Sequence, residues 1–241
     1  MPLARKDIEA SNRIVSQIGT EPFIQALEAG AQSVALIEEP IAAAIGTGLK
    51  VAGARGNMIV DIGGGTTEVA VISLGGIVAS NSIRVAGDEF DEAIISYLRR
   101  RKGILIGEAT AETLKMRIGS AHPSCDAGEM EICGRSLGSG LGAVMKISSS
   151  EVREAISGTL EQIVFGIKKT LEQTPPELSA DIYDFGIMLT GGGALLSGLD
   201  KIIKIETGMP VCIAENPLDC VADGTGIYLE SDALGSIGKK I

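Results

Sequence analysis

Two short stretches carry residue types at a spacing that could do chemistry. DIGGGTTE runs from Asp61 to Glu68 and LTGGGALL from Leu189 to Leu196. Each sets three consecutive glycines, Gly63, Gly64 and Gly65 or Gly191, Gly192 and Gly193, just after an apolar run. With no Cβ in the way, backbone N–H groups at such positions can meet a phosphate or a nucleotide base. Either stretch alone also fits an ordinary turn, and the pair, separated by helical segments, is the more specific signal. Zinc chemistry is poorly supported, because the 4 Cys include no CxxC and the single His122 lies in the loop-like AHPSCDAG.

The elements that must position these glycines follow from apolar periodicity. Up to about Thr20 isolated apolar residues among charges support a loose helix and no core element. PFIQALEAGA reads as a helix opened by Pro22 and closed by Gly30, SVALI (Ser33 to Ile37) as a short buried strand, and IAAAIG after Pro40 as a small-residue helix stopped at Gly46 and Gly48. NMIVDIGGGTTEVAVISLGGIVASNSIRVAG then predicts an antiparallel meander of three strands, with a hairpin turn at Gly75 and Gly76. A Rossmann strand would instead feed directly into a helix.

Asp88 is placed to cap the next helix, FDEAIISYLRRRKG, with Phe90, Ile94, Ile95 and Leu98 on one face. Its RRRK end suits the helix dipole and reads as a solvated terminus. EATAETLKMRIG is a further helix, and short strands are expected near MEICG and AVMKI. Ser148 or Ser149 caps a long helix with an apolar stripe of Val152, Ile156, Leu160, Val164, Ile167 and Leu171, ended by the turn TPPEL. GIMLT and PVCIA are strands around a turn and helix, and PLDCVADGTGIYLE closes the pattern as a helix. Interleaved helices and strands predict an α/β layer fold.

Composition bounds the function. The 241 residues suffice for a substantial core, and 45% hydrophobic with 22% charged residues exclude a disordered or fibrous class. A formal charge of −10, with the basic residues scattered, disfavours nucleic acid and anionic lipid as partners. No apolar run approaches the roughly 20 residues of a membrane span. The expectation is a cytoplasmic protein with reduced thiols.

IEEPIAAAIG, NMIVDIGGGTTEVAVISLGG, IRVAGDEFDEAI, IGEATAETLKMRIG, TPPELSADI and GIMLTGGGALLSGLD closely resemble the bacterial actin-like, rod-shape-determining MreB family, in near-continuous register from about Phe23 to Glu230. The resemblance implies an actin-like (ribonuclease H-like) ATPase fold: a mixed sheet with flanking helices plus a small inserted α+β subdomain. ATP with Mg²⁺ is the implied cofactor, bound in a cleft between two lobes. Self-association into filaments, contact with cell-shape and wall-synthesis membrane proteins, and peripheral membrane association are the implied partnerships. The family's first phosphate-binding lobe is not recognised before Phe23, so the expectation is of a second lobe alone, with weak nucleotide binding and very little hydrolysis. The implied division is a divergent segment over 1–22, an α/β core over 23–86 and 148–230, the inserted subdomain over 87–147, and a tail over 231–241.

Carried over residue by residue, Asp61 matches the carboxylate that holds the water shell of nucleotide-bound Mg²⁺, against the alternative of a turn-capping Asp. Gly63, Gly64, Gly65, Thr66 and Thr67 match the second phosphate loop, against an ordinary hairpin. Glu39 matches the residue that positions the attacking water; a plain helix-N-terminal charge is the alternative. Gly87 and Asp88 match the sugar and phosphate side, with Asp88 as a simple N-cap the competing reading. Glu112 and Lys115 match a ribose and adenine contact, against an exposed i,i+3 ion pair, and Gly191, Gly192 and Gly193 match the adenosine loop. Asp219 and Asp223 depart from the pattern, which commonly has an uncharged and a basic residue there. A non-enzymatic interaction or filament-capping module remains the alternative function, and a sugar-kinase-like phosphotransferase fits the motifs less well.

Overall fold

The computed structural model describes residues 28–30, 35–231 and 239–240. In chain order the elements begin with β1 (Ala35–Leu36), α1 (Glu39–Gly46), β2 (Asn57–Ile62), β3 (Thr67–Ser73) and β4 (Gly76–Ile83). Then come α2 (Gly87–Tyr97), a π turn over Leu98–Lys102, β5 (Ile104–Leu105), α3 (Glu108–Ile118), β6 (Glu129–Ser136) and β7 (Gly142–Ser148). The last part holds α4 (Ser149–Glu172), α5 (Pro176–Phe185), β8 (Ile187–Thr190), a 3-10 turn over Gly192–Leu195, α6 (Leu199–Thr207), β9 (Val211–Ile213), α7 (Cys220–Glu230) and β10 (Lys239–Lys240). The expected loose helix before Thr20 and most of the expected helix at Pro22 lie outside the described residues. Of the expected strand at Ser33 to Ile37, Ala35–Leu36 is observed, paired with β10.

β2 is buried along its whole length, as its apolar sequence requires of a strand covered on both faces. It stands at the centre of a five-stranded mixed sheet of order β4-β3-β2-β8-β9. The meander β2-β3-β4 is antiparallel, and β8 pairs in parallel with β2 on one side and β9 on the other. Because strand side chains alternate between faces, Met58, Val60 and Ile62 enter one core while Ile59 enters the other. The larger core continues through Phe90, Leu114, Ile132, Ile147, Ile156 and Ile203, uniting α2, α3, α4, α6 and the antiparallel sheet β5-β6-β7. The smaller core sets Ile59, Ala70 and Ile72 against α1 and Tyr228 of α7.

α1 and α7 lie backbone to backbone. A Cβ on Gly46 would collide with the Cys220 carbonyl, and one on Gly224 with the Ala42 carbonyl. That close approach explains the small residues of IAAAIG, whose Ala42, Ala43 and Ala44 are fully covered.

Ser148 caps α4, its Oγ accepting from Glu151 N–H while Glu151 accepts from Ser148 N–H. The buried face of α4 is wider than the expected stripe: Thr159, Ile163, Gly166 and Thr170 join it, and Leu171 is only partly buried. Three local expectations are corrected. The tight turn after β3 is Leu74–Gly75, with φ of 51° and 74°, and Gly76 already belongs to β4; two left-handed residues match the twist of a hairpin. Pro176 opens α5 directly after the turn, at a first-turn position where its missing N–H has no partner to lose. β6 and β7 run for 8 and 7 residues, longer than the short strands expected.

Gly224→Ala should destabilise the protein by at least about 2 kcal/mol, because the carbonyl it meets is backbone and cannot rotate away. Urea unfolding of the two proteins measures it, and an unchanged midpoint would show that the helices can separate at no cost.

Candidate functional site

The two glycine stretches meet at one edge of the sheet. Parallel pairing of β2 with β8 puts Asp61 beside Thr190, so Gly63–Gly65 and Gly191–Gly193 leave adjacent strands at the same end. Gly191 (φ 80°) donates its N–H to the Pro217 carbonyl at 2.7 Å, and Thr190 Oγ1 donates to the same oxygen at 3.0 Å. A Cβ on Gly191 would occupy the space of Asp61 Oδ1 and the Ile62 carbonyl, and one on Gly193 would meet the Ile62 side chain. Glycine here is a condition of the two strand ends lying together.

The first loop closes through Gly63 N–H to the Thr66 carbonyl at 2.9 Å, and Thr67, fully buried, donates its hydroxyl to the Val85 carbonyl at 2.7 Å. Gly64, Gly65 and Thr66 are exposed. Among the described residues no protein acceptor takes the N–H of Gly64, Gly65, Thr66, Gly192 or Gly193. Such runs of unengaged amides form an anion-binding concavity.

α2 begins against this loop. Gly87 donates to the Gly63 carbonyl at 3.1 Å and Asp88 to the Gly64 carbonyl at 2.8 Å. The sequence expectation that Asp88 caps the helix is corrected: Ala86 occupies that position, and the Glu89 carboxylate accepts from Ala86 N–H at 2.8 Å. Two residues further in, Asp88 instead leaves its side chain exposed beside Gly64.

Asp61 is 7% exposed, on the face of β2 opposite to Val60 and Ile62 and therefore on the side of α1. Burial pushes its carboxyl up to about 6, and the negative charges of Glu39 and Glu68 push in the same direction. Glu39 is the exposed first residue of α1, followed by Pro40, and Glu68 faces Asp61 across the β2-β3 pair. Three carboxylates thus share one region with no cation of the protein's own among the causes of the shift.

Glu112 and Lys115 do not form the i,i+3 ion pair that is the alternative reading of their spacing. Lys115 Nζ instead donates to Asp91 Oδ2 at 2.7 Å and to the Gly87 carbonyl at 2.9 Å, while Glu112 is exposed one turn earlier on α3.

The family model described as MreB/Mbl protein matches residues 20–235. The cell shape-determining protein MreB of Escherichia coli K12 is 57% identical over 202 residues, which cover 84% of this chain and 58% of that protein. Mbl of Bacillus subtilis is 50% identical over 204 residues, 85% of this chain and 61% of that protein. The chain belongs to the MreB/Mbl family. It spans about three fifths of the length of these relatives. The crystal structure of MreB5 of Spiroplasma citri bound to AMPPNP superposes with a TM-score of 0.84 at 41% identity, covering 89% of this chain and 66% of that one. A MamK double helical filament superposes with a TM-score of 0.73 at 17% identity, a likeness of fold. The actin-like mixed α/β fold expected from the motifs is the observed one.

In this MreB/Mbl chain several site neighbours escaped the sequence reading. Glu68 ends the quoted DIGGGTTE and would face Asp61 in any hairpin with a four-residue connection, so its position was there to be found. Pro217, which holds Thr190 and Gly191, and Asp91, which holds Lys115, act through contacts 27 and 24 residues apart in the chain. No local pattern announces them.

A carboxyl raised by burial favours the folded state in its protonated form, so holding Asp61 ionised has a stability cost that begins to grow near pH 4 and reaches its full size once the pH has passed 6. Asp61→Asn should therefore stabilise the ligand-free protein by about 3 kcal/mol at pH 7.5 and by no more than about 0.5 kcal/mol at pH 4. Denaturant unfolding at the two pH values checks this, and equal shifts at both would show that charge is not the cause.

Proposed function

We propose that this chain supplies the nucleotide-binding surface of a filament-forming, actin-like cell-shape protein, with ATP and Mg²⁺ as its ligands. The observation that carries the reading is the convergence of five unengaged backbone amides, on two glycine turns, beside the buried carboxylate of Asp61. Support comes from the Spiroplasma citri relative, whose solved structures are bound to AMPPNP and to ADP.

Each group has a definite task in this reading. The N–H groups of Gly64, Gly65 and Thr66 donate to phosphate oxygens, and those of Gly192 and Gly193 face the adenosine side. Among the described residues no three His, Cys, Asp or Glu side chains converge to hold a metal alone. That fits Mg²⁺, which keeps most of its waters and takes one or two carboxylates together with ligand phosphates. Asp61 would hold it through water, with Glu39 and Glu68 adding to the negative potential. When bound, the cation neutralises charge on the phosphates. Glu39, at the start of α1, orients the attacking water, a task of placement because phosphoryl transfer depends mainly on positioning and electrostatics. Gly87 and Asp88 border the phosphates, and Glu112 and Lys115 the ribose and adenine.

Self-association into filaments follows from the family, whose relatives are named for determining cell shape. Wall-synthesis membrane proteins are the proposed partners, with attachment to the membrane peripheral. Among the described residues no helix is long and apolar enough to cross a membrane. Residues 87–147 form the proposed inserted subdomain, built on the β5-β6-β7 sheet and α3.

Equilibrium binding of Mg·ATP to the purified chain tests the reading. Saturable binding is expected, weakened at least about tenfold by Asp61→Ala, equivalent to about 1.4 kcal/mol. No detectable binding by the unaltered chain would overturn it in favour of a protein-interaction module. A second variant separates site from fold. A Cβ on Gly64 meets nothing closer than an Asp88 carboxylate oxygen at 3.5 Å. Gly64→Val should therefore abolish binding while shifting the melting temperature by no more than about 2 °C. Loss of the fold in this variant would make Gly64 a structural turn residue.

A further inference from the structure

Asp91 is a partly buried carboxylate that the assigned site does not use. It lies on α2, its side chain 13% exposed, and its partner Lys115 on α3 is 17% exposed. Oδ2 accepts from Lys115 Nζ at 2.7 Å, whereas Oδ1 is buried with no hydrogen-bond partner. Burial raises the Asp91 carboxyl against the lowering effect of Lys115. A half-satisfied buried carboxylate is a poor way to join two helices, since an apolar pair of similar size avoids the desolvation cost.

The geometry around the lysine shows what the arrangement achieves. Nζ has three N–H donors. One goes to Asp91 and one to the Gly87 carbonyl, 2.9 Å away, and one is left for a ligand. Gly87 is the residue whose own N–H holds the Gly63 carbonyl. The ammonium is therefore referenced, through a single residue, to the loop that carries the free amides. A lysine on four flexible carbons has no such fixed position without two acceptors to hold it.

We propose that Asp91 is a positioning residue for nucleoside recognition: it fixes the Lys115 ammonium against Gly87 so that its remaining N–H is offered to the ribose of a bound nucleotide. This rests on the nucleotide reading of the site. Asp91 itself touches no ligand atom. Its contribution passes through Lys115 and concerns the nucleoside part of the ligand, leaving the phosphate amides independent of it.

Two ligands and a double-mutant cycle test the proposal. Binding of Mg·ATP and of Mg·tripolyphosphate, which has the phosphates and no nucleoside, is measured for the unaltered chain, Asp91→Asn, Lys115→Met and the double variant. Asp91→Asn should weaken Mg·ATP binding about tenfold and leave Mg·tripolyphosphate within about twofold. Lys115→Met should show the same pattern, and the double variant should be no worse than Lys115→Met alone. Equal weakening of both ligands by Asp91→Asn would reduce Asp91 to a structural residue and overturn the proposal. Multiplying effects in the double variant, or no effect on Mg·ATP, would overturn it as well. If Asp91→Asn does not fold, Asp91→Glu, which keeps the charge and displaces it by one methylene, carries the same comparison. Absence of Mg·ATP binding by the unaltered chain would instead overturn the nucleotide reading, so the two failures are told apart.

Discussion

The parallel pairing of β2 with β8 is the constraint on which the candidate site depends. Its register puts Asp61 beside Thr190 and makes both glycine turns leave the sheet at one edge. Two strand ends can lie this close only if the second turn has no side chains, because Asp61 and Ile62 already fill the places where Cβ atoms of Gly191 and Gly193 would sit. The glycines of the second turn are thus a packing requirement. In the first turn the requirement differs: Gly64 and Gly65 face open space or the Asp88 carboxylate, so their value lies in exposed N–H groups.

The same sheet edge concentrates negative charge. Asp61, Glu39 and Glu68 come from β2, α1 and β3, and the other two charges disfavour ionised Asp61. Close contact of α1 with α7 through Gly46 and Gly224 holds Glu39 on the Asp61 face of the sheet, so a packing device away from the glycine turns sets the field beside them. Strain of this kind is expected where a divalent cation and phosphates complete the charge balance.

Much of this was legible in the sequence. The three-strand meander, the long capped α4 and the glycine turns all rest on local signals: alternation, a Ser–Glu capping box, and runs of a residue that no core needs. Asp61 and Glu39 stood out through motifs. What stayed hidden depended on tertiary neighbours. Asp88 resembles an N-cap in every local respect, yet the hydrogen bonds of Gly87 and Asp88 to the loop accompany a helix that starts two residues earlier than such a cap requires, at Gly87. Glu112 and Lys115 have the spacing of a pair, but Asp91 from another helix offers the lysine a partly buried partner. Leu74 adopts a left-handed turn conformation that its residue type disfavours, held by its N–H to the Gly53 carbonyl at 2.7 Å.

The central claim is that the two glycine turns act together as one ligand surface. Amide hydrogen exchange of the purified chain, with and without saturating Mg·ATP, tests it most directly. Slowed exchange is expected at Gly64, Gly65 and Thr66 and, in the same sample, at Gly192 and Gly193. Protection confined to one turn, or absent from both while ATP is bound elsewhere, would contradict it.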